Sequence, residues 1–236
     1  QLRNQGMVLG EDNEKMSKSR GNVIAPDVLV NRYGADTVRA YLMFIGPWDA
    51  GGPWNSQGIE GVARFLERVW RLFAEQPLSH RKPSAEARRS LHLTIRKVSD
   101  DTATLKYNTA IAEMMRYSGE LETRASVTRE EAQTFLRLLA PYAPYITEEL
   151  WSRIGAAGYI HQQAWPKVDE AAAREDVIEI PVQVNGKVRD RVMVPVDISE
   201  ADAQKAALAS EGAVKFMGGK APRQVVYVKG RLVNIV

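Results

Sequence analysis

Cysteine is absent from the 236 residues, and histidine occurs only three times. The first absence removes disulfides, thiolate nucleophiles and cysteine-based zinc sites together. His80, His92 and His161 lie far apart and share no ligand spacing, so surface or packing roles are expected and no bound metal. No apolar run approaches the roughly 18 residues that a membrane span needs. A Walker or dinucleotide glycine spacing is missing, as are internal repeats and low-complexity tracts. Nor does one sign of charge dominate: 32 basic residues face 29 acidic ones. The pI of about 9.1 still leaves room for a local basic face that meets nucleic acid. What remains is a soluble globular chain of two or three units, with 44% hydrophobic and 26% charged residues. It opens on Gln1-Leu2-Arg3, with neither a signal segment nor an amphipathic leader. It therefore reads as a cytoplasmic piece of something longer.

Near its start the chain reads EDNEKMSKSRGNVIAP. Lys15, Met16, Ser17, Lys18 and Ser19 place two ammonium groups and two hydroxyls within five residues, just before a glycine. Lysine is a compact charge on a flexible stem and serine adds a small donor. The set suits a polyphosphate better than a metal or a carbonyl; the bland alternative is a solvated turn. No other phosphate candidate occurs in the chain.

After this loop the pattern is helical. Pro26 suits a first turn, with Val28, Leu29 and Tyr33 facing inward before Gly34. Asp36 is expected to cap the next helix, which carries Val38, Leu42 and Ile45 and stops at Gly46-Pro47. Residues 46–58 read as a loop in which Trp48 and Trp54 are anchors. Ile59, Val62, Leu66, Val69 and Phe73 then form the stripe of an amphipathic helix, with Arg64, Arg68 and Arg71 off it. Further helices are expected over about 84–106, 108–122 and 128–139, the last with a capping box at Thr128 to Glu131. One more carries Ile146, Leu150, Trp151 and Ile154 up to Gly155. Residues 166–176 read as a linker. Beyond them the period changes to that of strands around the hairpin signal Asn185-Gly186. A helix capped by Ser199 and a second hairpin at Lys229-Gly230 complete a β-β-α-β-β module.

The run from GMVLGEDNEKMSKSRGN through YGADTVR resembles the class I aminoacyl-tRNA synthetases. LMFIGPW, GIEGVARFLERVWRL, IPVQVNGKVRDRVMVP and VVYVKGRLVNIV narrow the resemblance to their leucyl branch of bacterial type, over nearly the whole chain. Asn13 is a departure, since relatives often have glycine there; asparagine also tolerates positive φ. The resemblance implies a mainly α fold in four parts. Residues 1–57 would be the end of a catalytic domain with the KMSKS loop, and 58–165 a helical, anticodon-binding-like bundle. Residues 166–176 would link these to a small α/β module at 177–236.

It also implies that ATP, with Mg2+, and leucine give a leucyl adenylate, and that the leucyl group then passes to tRNA(Leu). Lys18 would stabilise the leaving pyrophosphate, and Lys15 would help hold the β- and γ-phosphates. Met16, Ser17 and Ser19 would complete the ATP-binding loop. The nucleotide fold, leucine pocket and editing domain of that family are not in this sequence, so the chain alone is expected to be inactive. On the bundle, Arg64, Arg68, Arg88, Arg89, Arg96 and Lys97 are candidate tRNA contacts. In the terminal module nine basic residues face six acidic ones. There Lys187, Arg189 and Arg191 alternate along one strand, which points all three to one face. A monomer with no membrane association is expected. Two other readings are weaker: a free-standing RNA-binding protein derived from such an enzyme, which would need no lysine-serine loop, and a relative that charges valine or isoleucine, which would bring a coiled-coil tail or a cysteine-rich zinc end that this sequence lacks.

Overall fold

The computed structural model describes residues 2–174, 177–218 and 222–236. The chain forms two compact units, residues 1–173 and 174–236.

The first unit opens with a short strand β1 (Met7–Leu9), followed by the lysine-serine loop and helices α1 (Pro26–Tyr33) and α2 (Ala35–Phe44). Strand β2 (Gly51–Pro53) pairs in parallel with β1 inside the stretch read as a loop. Five helices follow: α3 (Gly58–Trp70), α4 (Ala85–Ala103), α5 (Tyr107–Glu122), α6 (Arg129–Leu139) and α7 (Pro144–Arg153). A wide turn at Arg71–Glu75 extends α3, which lets Leu72 and Phe73 join Val69 in the core. Around them pack Ile95, Met114, Tyr117, Phe135 and Trp151, one or more from each of the other four helices. Removing such a side chain from water contributes roughly 1.5–3 kcal/mol. A smaller cluster of Val38, Tyr41, Trp54, Ile59 and Val62 lies beneath the opening loop. There the Trp54 ring stands edge-on to Tyr41 at 4.8 Å, and the Tyr41 hydroxyl donates to Asn55 O.

Three expectations for this unit need correction. Asp36 does not cap its own helix, which begins at Ala35 behind Gly34. Its carboxylate accepts instead from the backbone N–H groups of Tyr145 (3.3 Å) and Ile146 (2.7 Å) at the start of α7. The cap residue of α7 is Ala143, which has no acceptor of its own, so a distant side chain supplies one. Burial pushes the Asp36 carboxyl up from its ordinary value, against those two hydrogen bonds. Val28 is exposed rather than inward, and Leu42, set at helical spacing with Val38 and Ile45, is exposed as well.

The third correction concerns the linker, because residues 166–173 lie on α4. Asp169 N donates to His92 Nδ1 at 3.1 Å, Asp169 pairs with Arg88 at 2.7 Å, and Glu170 pairs with Arg96 at 2.5 Å. Val168 packs on the main core and Ala173 is buried. The mixed charge that reads as linker composition is complementary to the cations of α4. Of the rest of that stretch, residues 175 and 176 fall outside the described residues.

The second unit is a four-stranded sheet in the order β4-β3-β6-β5. Strands β3 (Val177–Val184) and β4 (Lys187–Pro195) form one hairpin, and β5 (Val225–Val228) and β6 (Leu232–Ile235) the other. Asn185 and Gly186, with φ of 52° and 77°, make the turn their sequence announces. β3 and β6 pair in parallel, so a crossover is needed. Two helices occupy it rather than the one expected: α8 (Glu200–Leu208) and α9 (Glu211–Met217). Ser199 and Ser210 cap them from their side chains. Ala203, Ala207 and Ala213 then pack on Ile180, Val182, Val194 and Val233.

Candidate functional site

The lysine-serine loop is held from both sides. Ahead of it a tight turn closes with Gly10 N donating to Glu14 O at 2.8 Å and Asn13 N to Gly10 O at 3.0 Å. Asn13 sits at φ 59°, the conformation its departure from glycine has to tolerate. Behind the loop, Lys18–Arg20 form one tight helical turn that Gly21 ends at φ 70°. Met16 is partly buried against the small cluster, while Lys15, Lys18 and Ser19 are exposed.

Asn22 ties the two sides together. Its Oδ1 accepts from Ser17 N at 2.8 Å, and its Nδ2 donates to Asp12 Oδ2 at 3.0 Å. The Ser17 and Ser19 hydroxyls share a hydrogen bond of 2.6 Å. Every carboxylate around the loop is engaged. Glu11 accepts from Ser56 N, Asp12 from Glu14 N and Asn22, and Glu14 pairs with Arg20 at 3.0 Å. Hydrogen bonds from Ser56 hold Glu11 below its usual range; those from Glu14 N–H and Asn22 do the same for Asp12. Among the described residues, neither Lys15 nor Lys18 is in an ion pair. The loop thus presents two uncompensated ammonium groups and two hydroxyls on an ordered backbone, which is what binding an oxygen-rich anion requires. Asn22, Asp12 and Arg20 are the parts that residue types alone do not reveal; the Gly21-Asn22 pair after the motif is their only sequence signal.

The bundle cations are mostly committed. Arg68 Nε lies 3.2 Å from Glu122, which Arg71 also meets at 3.1 Å. Arg88 and Arg96 hold Asp169 and Glu170, and Lys97 pairs with Asp101 at 2.6 Å. Arg64 is exposed on α3, and Arg89 is half-buried in a groove between α4 and α5. The structure therefore does not gather these six into one basic face.

In the terminal module the three alternating cations do not share a face. Val182 pairs with Asp190 but Gln183 with Val188, so Arg189 is an extra residue in a bulge. One inserted residue inverts the alternation across it. Lys187 lies opposite Val184, on the face that carries the core, whereas Arg191 lies opposite Pro181 on the other face and pairs with Glu179 at 2.7 Å. The Arg189 guanidinium sits 4.0 Å over the Phe216 ring. At the same place a Cβ on Gly212 would come within 2.2 Å of Arg189 O, so only glycine lets α9 approach the bulge.

Two family descriptions match the chain: "Anticodon-binding domain of tRNA ligase" over residues 85–204, and "tRNA synthetases class I (I, L, M and V)" over residues 1–49. The first spans just over half of the chain. The leucine–tRNA ligases of Herpetosiphon aurantiacus and Deinococcus radiodurans are 48% and 47% identical over the whole of it. The chain spans 30% of each of those relatives. Among solved structures, the ternary complex of Agrobacterium radiobacter K84 agnB2 LeuRS with tRNA and LeuAMS matches with a TM-score of 0.82 at 33% identity. That match covers all of this chain and 33% of the other.

Proposed function

The chain belongs to the class I tRNA ligases that carry this anticodon-binding domain, and from that membership we propose that it is the loop-bearing, tRNA-docking part of a leucine–tRNA ligase. The observation that carries the reading is the ordered loop with Lys15 and Lys18 left uncompensated while Glu11, Asp12 and Glu14 are each engaged elsewhere. In adenylate formation a leucine carboxylate attacks the α-phosphate of ATP, and negative charge grows on the departing pyrophosphate. Cations placed there stabilise the transition state more than the ground state. Lys18 has that task, Lys15 steadies the β- and γ-phosphates, and Ser17 and Ser19 turn their hydroxyls to the same oxygens. Neither lysine acts as a base. Magnesium enters as part of the ATP substrate, carried by its phosphates.

The bundle and the terminal module dock tRNA(Leu) through phosphate contacts rather than base reading. Arg64 and Lys187, both exposed, are the sequence-selected cations best placed for it. The leucine pocket and the remainder of the ATP site belong to other parts of the intact protein, so this chain by itself does not charge tRNA. The intact protein acts as a cytoplasmic monomer.

The test is pyrophosphate exchange into ATP by the intact protein with leucine, valine and isoleucine in turn. Exchange dependent on leucine is expected. Exchange with valine or isoleucine in its place would move the chain to a sister ligase. No exchange with any of them, alongside intact RNA binding, would favour a free-standing RNA-binding protein.

A further inference from the structure

We propose that the bundle meets RNA at the loop between α3 and α4, with Arg81 and Lys82 as its phosphate contacts and the α4–α5 groove continuing the track. The inference rests on the tRNA-docking reading and gives it a place that the sequence did not single out. The loop is fixed by backbone: Ser79 N donates to Val127 O at 2.8 Å and Arg129 N to Ser79 O at 2.9 Å. Arg81 N is held by Ser79 Oγ at 3.1 Å. The side chains of Arg81 and Lys82 are exposed, and among the described residues neither is in an ion pair. They stand over a cavity of about 490 Å³ whose walls include the hydroxyls of Ser84, Thr123 and Ser126, with Arg124 also lining it.

The charge balance sets this place apart from the helix faces. Of the three carboxylates lining the cavity, Glu120 and Glu131 are held by Arg124, and Glu131 is also closed into the α6 cap. Glu86 is left as the counterweight to two free cations. At Arg68, Arg88, Arg96 and Lys97 a phosphate must first displace a carboxylate already in place. At Arg81 and Lys82 it need displace only counterions, which is the step that drives nucleic-acid association.

The shape favours a strand over a free anion. Glu86 and Glu120 also line a second cavity of about 650 Å³ that follows α4 as far as Asp100; its walls carry both signs, and Arg96 and Arg116 there are already paired with Glu170, Glu113 and Glu120. Fourteen residues of helix span about 21 Å, enough for several consecutive nucleotides. Two unpaired cations beside small hydroxyl-bearing residues address a sugar-phosphate backbone, not base edges, and the groove supplies the room for it.

The experiment is binding of leucine tRNA by the intact protein across a salt series, for wild type, the double variant Arg81→Gln with Lys82→Gln, and Arg88→Gln. Each lost phosphate contact lowers the slope of log affinity against log salt by about 0.7–0.9. The double variant should therefore lose about 1.4–1.8 from the slope, with its thermal melting unchanged because both side chains are exposed. Arg88→Gln should keep the wild-type slope. An unchanged slope in the double variant, with wild type binding normally, would overturn this placement alone. Failure of wild type to bind leucine tRNA would instead overturn the docking reading on which it rests.

Discussion

Glu131→Ala should be among the costliest single substitutions in the first unit. The Glu131 side chain is 1% exposed, and one of its oxygens accepts from Thr128 N (2.9 Å) and Thr128 Oγ1 (2.8 Å). The other accepts from the Tyr117 hydroxyl at 3.3 Å and meets the Arg124 guanidinium. Burial first, and the Glu131 charge second, push the Tyr117 hydroxyl far up from its ordinary value, so it remains a donor at any working pH. Arg124 keeps Glu120, but the buried Thr128 N–H and the Thr128 and Tyr117 hydroxyls lose their acceptor, and at about 1–3 kcal/mol for each group left unsatisfied the loss comes to about 3–5 kcal/mol. For a unit of this size about 1 kcal/mol is worth roughly 2–4 °C, so melting should fall by roughly 6–20 °C. Glu131→Gln keeps an acceptor for the Thr128 cap but loses the charge opposite Arg124, and should fall between. Glu122→Ala breaks an exposed contact to Arg71 and a partly buried one to Arg68, and should cost about 1 kcal/mol. Melting followed by circular dichroism separates the cases; a Glu131→Ala variant no less stable than Glu122→Ala would refute the reasoning. The loss should also loosen the crossing of Ser79 and Thr128 that fixes Arg81 and Lys82.

Two further outcomes follow from named contacts. Asn22→Ala removes the hydrogen bonds to Ser17 N and Asp12, each worth about 0.5–1.5 kcal/mol net, and should slow exchange by roughly fivefold to a hundredfold in the intact protein. The leucine KM should not change; an unaltered rate would show that the loop needs no such tie. His92 Nδ1 accepts the Asp169 N–H, which only the neutral ring can do. Burial lowers the His92 value below the ordinary one near 6.5, with Asp169 and Glu130 opposing and Arg88 assisting. The opened state therefore takes up the proton first, and the packing of residues 166–173 on α4 weakens as pH falls below about 6.5. Amide protection factors of 168–173, with the intrinsic pH dependence of exchange divided out, should fall between pH 7.5 and 5.5 in wild type, and His92→Phe should abolish that fall; a flat wild-type protection profile would contradict it.

The parts legible in the sequence were those set by local rules. The capping box at Thr128 and Glu131, the turn at Asn185-Gly186 and the stripe from Ile59 to Phe73 all form where periodicity and turn chemistry place them. The parts that escaped depend on partners distant in sequence. Asp36 acts 109 residues away from its own helix, and Asp169 and Glu170 find cations on α4. The helix α9 escaped because seven residues are too few to establish a period. The shared face of Lys187, Arg189 and Arg191 failed on a single bulged residue, which simple alternation cannot foresee. The loop's lysines were readable from composition; the engagement of the carboxylates that leaves them free was not, because Glu11, Asp12 and Glu14 are held by Ser56, Asn22 and Arg20, partners that only the fold brings near.

The central claim is that Lys18 meets the departing pyrophosphate. Leucine-dependent pyrophosphate exchange by the intact protein carrying Lys18→Ala tests it, beside Arg20→Ala, whose guanidinium is already held by Glu14. Loss of a positioned charge of this kind costs about 3 kcal/mol, so Lys18→Ala should run on the order of a hundredfold slower while melting and tRNA binding stay at wild-type values. Arg20→Ala should lose far less. A Lys18→Ala protein that exchanges at nearly the wild-type rate would contradict the account.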